Sequence, residues 1–125
     1  MSYTAYVLDE DARAKVLAAL PPKFPDVLAH HVTINFGGRN SRDAVLIGFK
    51  QPIEVVGYAE GDGIEAAVVS VGGSTARPDG KVFHITLSLD RSKGRKPVDS
   101  NVAIKENGWT KIQPFTVLTK FDVLN

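Results

Sequence analysis

Cysteine is absent from this chain of 125 residues. That removes disulfides, thiolate metal sites and a cysteine nucleophile, and it fits a reducing compartment such as the cytoplasm. No apolar run approaches the ~20 residues needed to span a bilayer. The opening MSYTAYVLDEDARAK has no basic start leading into an apolar stretch, so no signal peptide is expected. Net charge is nearly absent too. Fifteen Lys and Arg against fourteen Asp and Glu leave +1, so no global field draws in a polyanion and any basic surface must be local. No low-complexity tract or linker interrupts the chain. What remains, 43% hydrophobic and 23% charged, is the composition of a soluble globular protein. Its length suits one domain over 1–125 with a core that needs no staples.

The pattern along the chain is α+β. YTAYVL reads as a first strand. DEDARAKVLAAL reads as a helix, with Asp9 as N-cap, acidic residues in its first turn, and Pro21 and Pro22 to stop it. A loop, PPKFPDVLA, leads to a second strand. GGRNSRDAVLIGF, from residue 37, is a loop with a short element whose type the sequence leaves open. Residues 51–73 read as two strands about a GDG turn, and STARPDG as a further turn. RSKGRKPVDSN is a basic loop. DSNVAIKENG predicts a short helix with Asp99 or Ser100 as N-cap and Gly108 near its end. FTVLTKFDVL alternates as a last strand.

Two strands carry an unusual polar face. In HHVTINFG, residues 30–37, Val32, Ile34 and Phe36 form one row and His31, Thr33 and Asn35 the other. In VFHITLSLD, residues 82–90, Phe83, Ile85, Leu87 and Leu89 oppose His84, Thr86 and Ser88. A single such face reads most simply as a solvated sheet surface. Two of three histidines followed by threonine two residues on is a coincidence below roughly 1%. Each motif sets an imidazole and a hydroxyl about 7 Å apart on one face. Side by side, two such strands would surround one point with two imidazoles and two hydroxyls. Hydroxyls can donate to phosphate oxygens. One imidazole can take a proton from water while the other gives one to a leaving oxygen. His30 points away from His31 by strand alternation and is expected to be structural or at a strand edge.

The paired H-x-T motifs of HHVTINF and FHITLSL resemble the two-histidine (2H) phosphoesterases, such as the cyclic phosphodiesterase domains of tRNA ligases and the small RNA-repair-type members. The resemblance implies a two-lobed fold of mostly antiparallel sheets with a central cleft, each lobe carrying one H-x-T strand. It implies metal-independent opening of a 2′,3′-cyclic phosphate, on an RNA end or a nucleotide, usually to a 2′-phosphate. His31, His84, Thr33 and Thr86 would be catalytic, with His84 activating water, His31 protonating the leaving oxygen and the threonines holding the phosphate. No cofactor or metal is called for, and a cytoplasmic monomer is expected.

Asn35 and Ser88 lie one step beyond the threonines and are candidates for substrate contact, with solvation as the plain alternative. Phe36, at the strand end, is the best-placed aromatic for stacking on a base. Arg91, Lys93, Arg95 and Lys96 follow the second motif and would sit at the cleft mouth, where a polyanion backbone would pass. Arg39 and Arg42 hold the corresponding place after the first motif. Three other readings compete: hydrolysis of cyclic di- or oligonucleotide signals, capture of phosphorylated ends without turnover, and a structural domain with coincidental motifs.

Overall fold

A computed structural model describes residues 2–36 and 45–125. It is an α+β fold of seven antiparallel strands and two α-helices among the described residues. β1 (Tyr3–Leu8) leads into α1 (Glu10–Ala19). Asp9 caps the helix as its sequence predicts, its carboxylate accepting from the Ala12 N–H at 2.8 Å. A two-residue strand, β2 (Asp26–Val27), precedes β3 (His31–Phe36). β4 (Lys50–Gly61) and β5 (Ile64–Ser70) form the hairpin about GDG, where Gly63 takes a φ of +75°. β6 (His84–Leu89), a 3-10 turn (Arg91–Lys93), α2 (Asp99–Asn107) and β7 (Thr110–Leu124) complete the chain. β7 starts five residues before the expected strand.

Six strands close on themselves in the order β6-β3-β1-β7-β4-β5, with β5 pairing back to β6. Alternation along each strand divides the barrel. Val32, Ile85, Leu87, Ala67, Val69 and Val55 point inward and form one cluster, to which α1 adds Ala12 and Val16. α2 packs from outside on β4 and β5, where Ile104 meets Ala59, Ala66 and Val68. Of the apolar rows expected for the two H-x-T strands, Val32, Phe83, Ile85 and Leu87 belong to this interior, while Leu89 packs with Ala103 of α2; the hydroxyl of Thr86 faces outward, to α2.

α2 begins differently from the prediction. Val98 is its N-cap residue and carries no side-chain cap. The Asp99 carboxylate instead accepts from the Lys96 N–H at 2.8 Å, and the Ser100 hydroxyl turns to Thr86. Both short polar side chains therefore serve the loop and the sheet rather than the helix end.

Candidate active site

β3 and β6 are direct neighbours, paired antiparallel at Val32 and Ile85. That register sets His31 opposite Thr86, and Thr33 opposite His84. The four motif side chains share one cavity of about 230 Å³. Its wall is completed by Tyr3, His30 and Arg77, and by Pro97, Val98 and Asn101 from the approach to α2 and its first turn. Among the described residues no group of three or more His, Asp and Glu side chains is placed to hold a metal ion.

The backbone just before β3 aims the first motif. Leu28 and Ala29 donate to the carbonyls of Leu87 and Thr86 at 2.8 and 2.9 Å, running along the edge of β6. Ala29 then takes a φ of 50°, a left-handed conformation that costs a residue with a Cβ roughly 1–2 kcal/mol. The resulting kink breaks strict alternation. His30, expected on the opposite face, therefore joins the cavity wall beside His31. Their Nδ1 atoms are 2.9 Å apart and their rings meet edge to face at 5.1 Å. A bond between two Nδ1 atoms holds one proton, so the tautomer of each ring fixes that of the other. Tyr3 packs on the other side of His31, ring centroids 5.5 Å apart.

His84 is oriented by its own strand. Its Nδ1 stands 2.8 Å from the Val82 carbonyl. A carbonyl only accepts, so Nδ1 carries the proton and Nε2 is left with a lone pair. Burial holds this imidazole below its ordinary pKa; Arg77 and Lys81 act the same way, against the Val82 bond and Asp79. Burial also pushes His31 down to about 4, helped by the neighbouring His30 and His84. Both shifts favour the neutral imidazole.

Thr86 is tied to α2: its hydroxyl lies 2.9 Å from Ser100 Oγ and 3.3 Å from the Pro97 carbonyl. If Ser100 donates, the Thr86 proton is left to the Pro97 carbonyl or to a bound anion. Arg77 comes from the RPDG turn, closed by the Gly80 N–H donating to the Arg77 carbonyl at 2.9 Å. Its buried guanidinium grips Asp79 through two bonds of 2.9 and 2.8 Å, which holds the Asp79 carboxyl down at about 2. Arg77 is not among the residues the sequence pattern singles out, because a turn arginine has no periodicity to mark it. The fork geometry of an Arg-x-Asp turn is the one available signal.

Ser88, Asn35, Lys93 and Arg95 are not brought to the cavity. Ser88 is a correction: it is fully buried, its hydroxyl bonded to the Glu65 carboxylate and accepting from the Phe24 N–H at 3.2 Å. The alternation placed it on the correct face, but Glu65 and the segment before β2 cover that end of the strand. Asn35 is exposed and outside the cavity wall; a bulge at Thr4 and Ala5 shifts the register of β1 on β3 just there. Phe36 pairs through its backbone with Tyr3. Arg39 and Arg42 lie outside the described residues. Within the basic loop, Lys93 and Arg95 turn to the β4–β5 turn and pair with Asp62 at 2.9 and 3.3 Å. The Arg91 N–H donates to Asp26, and the Lys96 backbone is held by Asp99.

No family model, no curated protein and no solved structure matches this chain.

Proposed function

We propose that this protein is a metal-independent phosphodiesterase that opens 2′,3′-cyclic phosphates of nucleotides or RNA ends. One observation carries the reading: His31, Thr33, His84 and Thr86, from motifs more than fifty residues apart, line one cavity on directly paired strands. His84 is the base. Its Nδ1 proton is committed to Val82 and its neutral Nε2 is free to take a proton from water. The water oxygen bonds to phosphorus as the P–O3′ bond breaks, leaving a 2′-phosphate. His31 gives its proton to the departing O3′. An imidazole with a pKa near 4 is not charged at pH 7 on its own, so the substrate's negative charge must bring that proton in, and the His30 Nδ1 lone pair can accept from the charged ring. Thr33, Thr86 and the Arg77 guanidinium hold the non-bridging oxygens.

The two-lobed 2H arrangement is read onto the closed barrel as two three-stranded halves, β3, β1 and β7 and β6, β5 and β4, each bringing one H-x-T strand and joined along both the β3–β6 and the β7–β4 seams. The engagement of Lys93 and Arg95 by Asp62 favours a small nucleotide over a long RNA. The test is multiple-turnover hydrolysis of 2′,3′-cyclic nucleotides with excess chelator present. Wild type should turn over, while His31→Ala and His84→Ala should each lose most of the rate and stay folded. Activity that vanishes with chelator and returns with a divalent ion would overturn the mechanism.

A further inference from the structure

A second and larger cavity, about 670 Å³, adjoins the first and shares two of its residues, Val98 and Asn101. The catalytic cavity, at about 230 Å³, is below the roughly 300–1,000 Å³ usual for a whole small-molecule ligand. The second lies within that range.

Its wall comes from a face of α2 that the barrel does not use. The helix buries Ser100, Ala103 and Ile104. Val98, Asn101, Val102 and Lys105 recur at i, i+3, i+4 and i+7 on another face. Val98 and Val102 are 56% and 52% exposed, an apolar pair where a surface helix normally carries charge. Trp109 lines the same groove, half-buried, its six-membered ring so close to β4 that a Cβ on Gly57 would come within 2.2 Å of it. Lys81 and Lys105 also line this groove. Lys105 makes no ion pair among the described residues. Asp79, which also lines it, is committed to Arg77.

We propose that this groove holds the nucleobase of the substrate whose cyclic phosphate sits between the histidines, so that the enzyme acts on base-bearing cyclic phosphates and not on cyclic phosphates at large. The proposal rests on the phosphodiesterase reading. An indole and aliphatic walls suit a flat aromatic base, the shared Val98 and Asn101 set the two cavities side by side, and the lysines suit a further phosphate or polar base edge.

Trp109 is the chain's only tryptophan, so its fluorescence reports on this groove and needs no turnover. Adenosine 2′,3′-cyclic phosphate should quench it, and inorganic phosphate at the same concentration should not. Val102→Asp, checked for folding by circular dichroism, should weaken that quenching. In the same variant the ratio of kcat/KM for the nucleotide to that for a base-free five-membered cyclic phosphate should fall by roughly tenfold or more. Lys105→Ala should lower the affinity for the nucleotide and leave the fluorescence of the empty protein in place. Hydrolysis of the nucleotide without quenching, or an unchanged ratio in Val102→Asp, overturns the groove. Quenching by a nucleotide that is never hydrolysed overturns the phosphodiesterase reading and keeps the groove as a nucleobase site.

Discussion

In the empty protein His31 should be neutral at physiological pH, and its titration is the sharpest check on the site. Burial moves its pKa from 6.5 to about 4, with His30 and His84 pushing the same way. At about 1.4 kcal/mol per unit, charging this ring costs roughly 3 kcal/mol more in the folded protein than in the unfolded chain. The unfolded chain takes up the His31 proton near 6.5 and the folded protein only near 4. Between those values the unfolded state binds more protons, so stability rises with pH across the window and is fully present above it. The measurement is a ring ¹⁵N–¹H NMR titration, with the His31→Gln variant to assign the signal. The expected midpoint is about 4. His30→Gln removes one contributor but not burial, so the midpoint should rise only part of the way. Saturating inorganic phosphate should raise it further, because an anion favours the imidazolium, and binding should take up protons from the buffer. A midpoint at 6.5 in the empty protein would refute the burial argument. A midpoint that phosphate does not move would refute an acid charged by its substrate.

Thr33→Val and Thr86→Val should each cost on the order of 1–3 kcal/mol in transition-state stabilisation, read from kcat/KM, with serine tolerated better. Only the Thr86 change should also lower the melting temperature, since it removes the bonds to Ser100 and Pro97; wild-type rates in both would make the threonines plain strand residues. Replacing Lys93, Arg95 and Lys96 together by alanine should leave cyclic mononucleotide hydrolysis unchanged and reduce the salt slope for an RNA oligomer by no more than roughly 0.7, one contact's worth. A reduction near 2 would mean that all three leave their present positions for the RNA. Glu65→Ala strips the acceptor from Ser88 and the Lys23 N–H and one of two acceptors from Tyr58, which keeps Glu60, and should destabilise by roughly 1–3 kcal/mol for each stranded donor in denaturant unfolding; a total loss under about 1 kcal/mol would mean that water replaces the carboxylate at little cost.

The two motifs were legible because everything that defines them is local. Period-two alternation separates His31 and Thr33 from Val32, and the barrel keeps that division. The helices, the GDG hairpin and the Asp9 cap rest on equally local rules. Barrel closure did not show in the sequence, because it depends on which strand edges meet, and neighbours such as β1 and β7 are more than a hundred residues apart. His30 was misread because alternation assumes a continuous strand, and one left-handed residue at Ala29 ends that assumption. Ser88 was misread for a different reason: periodicity assigns a face but cannot say what covers it. The α2 groove was written in the spacing of Val98 and Val102, yet an apolar pair on a short helix signifies nothing until its buried face is known to be the other one.

β7 contributes no residue to the wall of the catalytic cavity, yet the geometry of that cavity depends on it. Without β7, β1 and β3 form one sheet and β4, β5 and β6 another, hydrogen-bonded strand to strand only where β6 meets β3 and the segment before it, while their inward side chains still share one core. β7 bridges the open side, binding β1 along Tyr3–Leu8 and β4 along Lys50–Tyr58. β3 and β6 hold the histidines to each other directly, and β7 fixes how the two sheets that carry them are splayed. A substitution that loosens β7 on β4 is therefore felt as a change in the angle between the motif strands, without touching any residue of the cavity wall.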